Sequence, residues 1–411
     1  MKLPRWMGRS ALLLAVLALG GGFAGHAMAV DIKIIARFEP SAANPSHNKF
    51  VDKTPPSGHC VGFFSYVCRD GESSTIISAN PRLMHVRQFQ SHGSIDELIY
   101  QRVDGGWKEV PVYGDDGESA LVRFRLATLF QRAEGGAVDF VRIMVNNAHT
   151  EGASTGGCLG LGGFVAAGSS IWFNWSVPEG HVACSRESNG ESFSSDGFVE
   201  EASVAYLLET PNPLAMKNGV YTGELRYSIG SGQQIDIGKG RYNHDSITFK
   251  FELTVDHKFQ LDFPPGSERV LLQPPGGWSQ WANQGRTPPA LRREMPFRLW
   301  SSGPFMVYLS DCEYRVAGQC GIHNTNDNHT VPLEVAVTLP GIIAESTGSF
   351  VHKQLLGTDK FTAERLSSAS YIVNQRSLLH FEVGQASVAE MMRYPGGNYK
   401  GNVTVMFDSD F

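Results

Sequence analysis

The residue types best suited to chemistry are present, but in spacings that do not assemble a reaction centre. His323 and His329 flank Asp327, a donor set that could hold a metal ion. Six-residue spacing within a Gly/Asn-rich loop is not a ligand signature, so a solvated turn is the stronger reading. Asp115 and Asp116 are adjacent carboxylates. Neighbouring residues on a strand face opposite ways, unlike the facing acid and base of a glycosidase. Gly160-Leu-Gly162-Gly163 is too incomplete to cradle a dinucleotide, no G-x-x-x-x-G-K-[ST] occurs, and no G-x-S-x-G precedes a helix. No metal, cofactor or catalytic residue is therefore expected, and a secreted carbohydrate-active enzyme stays a minor alternative.

Cysteine carries the clearer message. Cys60, Cys68, Cys158, Cys184, Cys312 and Cys320 all follow a leader-like segment. In that segment Lys2, Arg5 and Arg9 precede an apolar run from Ala11 to Leu19, and Ala27-Met28-Ala29 supplies a small-residue cleavage pattern. Residues 1–29 thus read as a signal peptide, with Val30 as the mature start. Export implies an oxidising compartment, so an even cysteine count reads as three disulfides whose connectivity sequence leaves open. Spacing favours pairing 60 with 68, 158 with 184 and 312 with 320. Zinc would need paired C-x-x-C clusters, which are absent. The chain has 35 basic and 41 acidic residues, a net charge of −6, and losing the three leader cations takes it to −9. Such a chain has no electrostatic pull toward nucleic acid.

The elements that would position any site are strands. Only 18% of residues are charged, while 45 Gly and 21 Pro punctuate the chain, a poor composition for helical bundles. Period-2 alternation is strongest at Ile247-Thr-Phe249-Lys-Phe251-Glu-Leu253-Thr-Val255 and resumes at Phe259, Leu261 and Phe263, so residues 247–263 read as a β-hairpin. Further strands are expected at 122–126, 141–143, 305–309 and 333–339, and short helices at 94–103 and 387–393. Several short strands between Gly, Pro, Asn and Ser turns argue for antiparallel sandwiches. The stretch 264–268, with Pro264, Pro265 and Gly266, reads as a linker between a domain at 30–263 and another at 269–411. One pattern occurs twice. Gly219-Val-Tyr221-Thr-Gly223-Glu-Leu225 and Gly397-Asn-Tyr399-Lys-Gly401-Asn-Val403 share G-x-Y-x-G before an alternating run.

The second copy leaves an apolar strand, Tyr399 to Phe407, at the extreme end of the sequence, where unpaired edges recruit other chains. Its ending, Gly-x-Tyr-x-Gly-Asn-Val-Thr-Val-Met-Phe-Asp, resembles the last strand of subunits assembled by bacterial chaperone–usher pathways. The wider layout resembles two-domain tip adhesins of the colonisation-factor, alternate-chaperone type. That resemblance implies an all-β chain of two immunoglobulin-like β-sandwiches in tandem, the second an incomplete pilin fold completed by a donor strand. It implies export through the periplasm to a fimbrial tip at the cell surface. It also implies four partners: a periplasmic chaperone, an outer-membrane usher, a major pilin that donates the strand, and a host glycan or glycoprotein receptor. Tyr399, Gly401, Val403, Val405 and Phe407 would form the chaperone- and usher-facing strand, with the carboxylate of Phe411 anchored by basic chaperone residues. Arg241 and Tyr242 match part of the family's basic receptor-binding stretch, although Gly240 stands where a second arginine is expected. A solvated turn is the competing reading there, and Trp172 and Trp175 read as core rather than as a glycan platform.

Val30-Asp-Ile32-Lys-Ile34-Ile-Ala36-Arg-Phe38 also alternates and resembles the donor strand of a shaft pilin. As a donor it would make the chain an internal minor pilin or an assembly initiator. As the first strand of the large domain it leaves the chain at the tip.

Overall fold

Alternating apolar residues become strands along nearly the whole chain, because each strand can turn one face to a core and the other to water. The computed structural model describes residues 29–61, 65, 77–145, 155–161, 165–282 and 286–409. The leader up to Met28, Cys68, Gly162, Gly163 and Phe411 lie outside the described residues. The chain is all-β, with only short helical segments.

An eleven-stranded sheet dominates the first part. Its order is 241–242, 77–90, 194–209, 119–135, 108–113, 219–228, 246–255, 29–38 and 51–52, with 170–176 joined to 119–135 and 165–167 beyond it. A three-stranded sheet, 235–236, 99–104 and 181–186, accompanies it. Buried residues from Ile32 to Val255 form one apolar core around them. Phe124 lies at the centre of this core, its ring 4.8 Å from Phe249 and 5.4 Å from Tyr206 and Phe251. The second part has its own core, from Leu291 to Val388. There an eight-stranded sheet runs 259–262, 290–301, 372–384, 334–344, 365–367, 305–312 and 403–408, with 349–355 on 334–344. A four-stranded sheet of 314–316, 319–324, 329–332 and 399–400 completes it.

Several expectations need correction. Ile247–Val255 and Phe259–Phe263 do not form a hairpin. Ser246–Val255 pairs with Gly219–Ser228 and Ala29–Phe38, whereas Phe259–Asp262 pairs with Ala290–Ser301 in the other sheet. Continuous alternation shows which side of each strand is buried, but not against which core, and the chain changes sheets across Asp256–Lys258. Residues 265–268 form a turn beyond that change. Ser94–Val103 is not a helix, because one 3-10 turn at Ile95–Glu97 gives way to the strand Ile99–Asp104. Val141–Ile143 falls in a short helix, Phe140–Met144, which buries Phe140, Ile143 and Met144 on one side. The expected late helix is present as Gln385–Met391.

Cys158 is bonded to Cys184, their Cα atoms 6.0 Å apart, and Cys312 to Cys320 at 5.3 Å. Cys60 is also disulfide-bonded, while its expected partner Cys68 lies outside the described residues. The 158–184 bridge closes a 26-residue separation and ties a loop to the strand His181–Arg186. Loop-closure entropy gives that bridge about 3.5 kcal/mol. A Cys158→Ser/Cys184→Ser double variant is expected to lower urea-unfolding stability of the first part by about 2–4 kcal/mol, with its m-value unchanged.

Candidate functional site

The terminal segment begins with Tyr399–Lys400, which pairs with His323 and Asn324. The Tyr399 hydroxyl lies 2.8 Å from His329 Nδ1. Burial raises the pKa of that phenol above its ordinary value. Gly401 then crosses close over Gly321, where an added Cβ would stand 2.8 Å from the Gly321 carbonyl oxygen. That close approach accounts for the glycine. Asn402 is held at both ends by Glu313, whose backbone N–H donates to its carbonyl at 2.9 Å and whose carboxylate accepts from its N–H at 2.9 Å. Beyond this crossing, Val403–Asp408 joins the eight-stranded sheet against Phe305–Cys312.

In that ladder Phe407 lies opposite Val307, Val405 opposite Leu309, and Val403 opposite Cys312. Alternation turns Val403, Val405 and Phe407 to the core and Thr404 and Met406 away from it. Val307 and Leu309 are buried, but Val403, Val405 and Phe407 are only half-buried. The cause lies in the sheet order. Among the described residues no strand pairs with the other edge of Val403–Asp408, and Phe259–Asp262, at the opposite end of the sheet, pairs only with Ala290–Ser301. Phe297 links the two ends. It is buried, stacks on Phe263 at 5.0 Å, and meets Phe407 at 5.5 Å. Half-buried Leu261, Val270, Leu272 and Met295 pack on the same core. The module thus has an apolar seam at a free strand edge, suited to accepting one more strand through backbone hydrogen bonds and alternate side chains.

The earlier G-x-Y-x-G copy sets a useful comparison. Gly219–Ser228 lies inside its sheet, paired along its length with Ser246–Val255 and through Thr222 with Tyr113. Tyr221 and Tyr227 are buried there. Gly223 again marks a close approach, since a Cβ would lie 2.4 Å from the Pro111 carbonyl. One local pattern serves an interior strand in one half and an open edge in the other.

Val30–Phe38 has no such freedom. It runs parallel to Ser246–Val255 from Ala29↔Ser246 to Phe38↔Val255, an exception to the expected all-antiparallel pairing, and buries Ile32, Ile34, Ala36 and Phe38. On its other side Ala36 and Arg37 pair with Asp52 and Val51, and the Ile35 N–H donates to Thr54 Oγ1 at 2.9 Å.

The other sequence candidates lie elsewhere. Arg241 is exposed and Tyr242 half-buried in a two-residue strand on the outer edge of the large sheet, opposite Val86 and His85. The Tyr242 ring stacks on His85 at 4.1 Å, and its hydroxyl bonds Gly238 O at 2.7 Å and accepts from the Ile237 N–H at 2.9 Å. Burial and the nearby Asp236 raise that phenol's pKa well above its ordinary value. Trp175 is core, while Trp172 is half-buried beneath the Arg132 guanidinium at 5.1 Å. His323 meets Thr330 Oγ1 at 2.9 Å, and Asp327 accepts from Asn324 at 2.6 Å. Asp116 pairs with Lys217 at 3.1 Å. Sequence reasoning missed Phe297 and Phe263 as the aromatic link beside the seam. The alternation Met295-Pro-Phe297-Arg-Leu299 was the available signal, interrupted by a proline.

No protein-family model matches the chain, and no curated protein matches it. Among solved structures it is similar to the CsuC–CsuE chaperone–tip adhesion subunit pre-assembly complex from archaic chaperone–usher Csu pili of Acinetobacter baumannii. Identity is 10% over 93% of this chain and 99% of that chain, with a TM-score of 0.21. So poor a superposition transfers neither fold nor partner. Among the described residues no helix is long and apolar enough to cross a membrane.

Proposed function

We propose that this chain is the tip adhesin of a chaperone–usher fimbria, held in its fibre by donor-strand complementation. The observation that carries this reading is the terminal strand Val403–Asp408, whose three core-facing apolar side chains stay half-open at an edge with no strand beside it. A fourth or fifth apolar side chain entering that seam from another polypeptide contributes about 1.5–3 kcal/mol, and several together rival the stability of a whole domain. A periplasmic chaperone fills the seam first. At the outer-membrane usher the donor strand of a major pilin replaces it, so the isolated second module is marginal and the assembled one stable. The signal peptide spans 1–29, the receptor-binding module begins at Val30, and the pilin module takes over after the sheet change at Asp256–Lys258.

Ala29–Phe38 favours the tip over an internal position, because the apolar face a donor would offer is already spent on its own core. The first module presents the host receptor site, taken to be for a glycan. With the Tyr242 hydroxyl engaged internally, Arg241 is the side chain of that pair free to contact an acidic sugar, through the paired donors of its guanidinium. The protein works by binding and assembly, not turnover.

Co-expression with a cognate chaperone, or fusion of a donor segment after Phe411, is expected to raise the yield of soluble, protease-resistant second module at least tenfold. Replacing Val405 with aspartate is expected to remove that gain. Equal yields with and without a partner strand would defeat the proposal.

A further inference from the structure

We propose that His257 is a latch that fixes the angle between the two β modules. Its place in the chain suggests this first. Ser246–Val255 ends in one sheet, Phe259–Asp262 begins in the other, and His257 is the middle residue of the three between them. Nothing in so short a crossing prevents rotation by itself, so the angle depends on what the crossing residues hold.

His257 is bonded to both sides. Its backbone N–H donates to Asn218 Oδ1 at 2.6 Å, and its Nε2 lies 2.8 Å from the Met216 carbonyl oxygen, both in the segment before Gly219–Ser228. The ring meets Phe38 edge-on at 5.6 Å, at the end of the first strand. Toward the second module, Nδ1 lies 3.2 Å from Ser302 Oγ, and the ring packs on Gly303 so closely that a Cβ there would stand 2.5 Å from Cδ2. The chemistry assigns the tautomer. A carbonyl only accepts, so Nε2 carries the hydrogen toward Met216, and Nδ1 takes the hydroxyl hydrogen of Ser302. The same Ser302 oxygen accepts from the Lys258 N–H at 2.8 Å, and the Ser302 N–H donates to the Lys258 carbonyl at 3.1 Å. A neutral imidazole, kept so by burial that lowers its pKa, is thus the one side chain here that donates to one module while accepting from the other.

Other cross-links are weaker by position. Asn48 Nδ2 donates to the Ala369 carbonyl at 3.1 Å, the Tyr371 N–H to Pro45 at 3.2 Å, and Arg365 stands 4.0 Å from Glu118. The first is solvent-exposed and the last is long, and such contacts add little rigidity. His257 is the contact whose loss frees the crossing.

The test is a distance distribution between nitroxide labels on the mature chain, at Val138→Cys and Phe361→Cys, two exposed positions in different modules. A narrow distribution is expected with His257 present, and one at least twofold broader with His257→Ala, while both modules keep their melting temperatures within a few degrees. Ser302→Ala should broaden it less, and Asn48→Ala hardly at all. Where the alanine variant fails to fold, His257→Gln keeps a donor toward Met216, loses the acceptor toward Ser302, and should still broaden the distribution. An unchanged width in a folded His257 variant overturns the proposal.

Discussion

Replacing Ile34 with aspartate is expected to unfold the first module outright. Ile34 is fully buried on the strand Ala29–Phe38 and lies opposite Phe251 in the parallel ladder. The substitution removes a large aliphatic side chain and sinks an unpaired carboxylate into an apolar core, which together cost upwards of about 5 kcal/mol. A domain's entire stability is about 5–15 kcal/mol, so little or none remains. The neighbouring Lys33, half-exposed and paired with Glu252 at 2.7 Å, makes the contrast. Lys33→Ser should cost less than about 1 kcal/mol, since exposed ion pairs are worth little. Circular dichroism and limited proteolysis of the mature chain measure both. The outcome also separates the two positions in a fibre. Were residues 30–38 a donor strand, Ile34→Asp would leave the module folded and abolish only subunit linkage. A protease-resistant Ile34→Asp module with an ordinary melting temperature would reinstate the internal-subunit reading.

This case shows what alternation can and cannot convey. Ile32, Ile34, Ala36 and Phe38 announce a strand with one buried face, and the structure has that strand. The same pattern suits a donor strand equally well, because period 2 specifies a face and not the polypeptide that covers it. The failed hairpin has the same origin. Ser246–Val255 and Phe259–Asp262 were legible as strands, but three residues between two strands suit a turn as well as a crossing between sheets. Helix readings failed where the window was short. Ser94, Asp96 and Glu97 supply capping side chains, yet only a single 3-10 turn follows before β-rich Ile99–Asp104. At the seam, Tyr399, Gly401, Val403, Val405 and Phe407 were legible, whereas their openness depends on sheet order, a property of pairings far apart in the chain. The crossing histidine was invisible for a related reason. Its partners, Met216, Asn218 and Ser302, come from three distant segments.

Acid lability of the first module is the other large effect expected, and buried imidazoles cause it. His59 is 4% exposed and its pKa is lowered by burial to about 4. His85 is fully buried, and burial together with the nearby Arg87 lowers it to about 3. Neither His85 nitrogen has a hydrogen-bond partner, and its ring is covered by Tyr242. A folded-state pKa below the unfolded value of roughly 6.5 means that the unfolded chain takes up the proton first as pH falls. The contribution of each ring is therefore intact above about pH 6.5 and drains away as pH drops toward 4 for His59 and toward 3 for His85. At pH 5 that is about 2 kcal/mol for each ring, or about 4 kcal/mol together. Asp52 acts in the opposite sense. Burial raises its carboxyl pKa, so its contribution grows as pH falls and offsets part of the loss. Urea unfolding between pH 7.5 and pH 5 should show the net decline. His85→Gln, which cannot titrate, should cut the pH-dependent part by about half, whatever uniform cost the buried amide adds. The slope carries the information: if the glutamine variant loses stability with acid as steeply as the parent, burial of His85 is not what makes the module acid-labile.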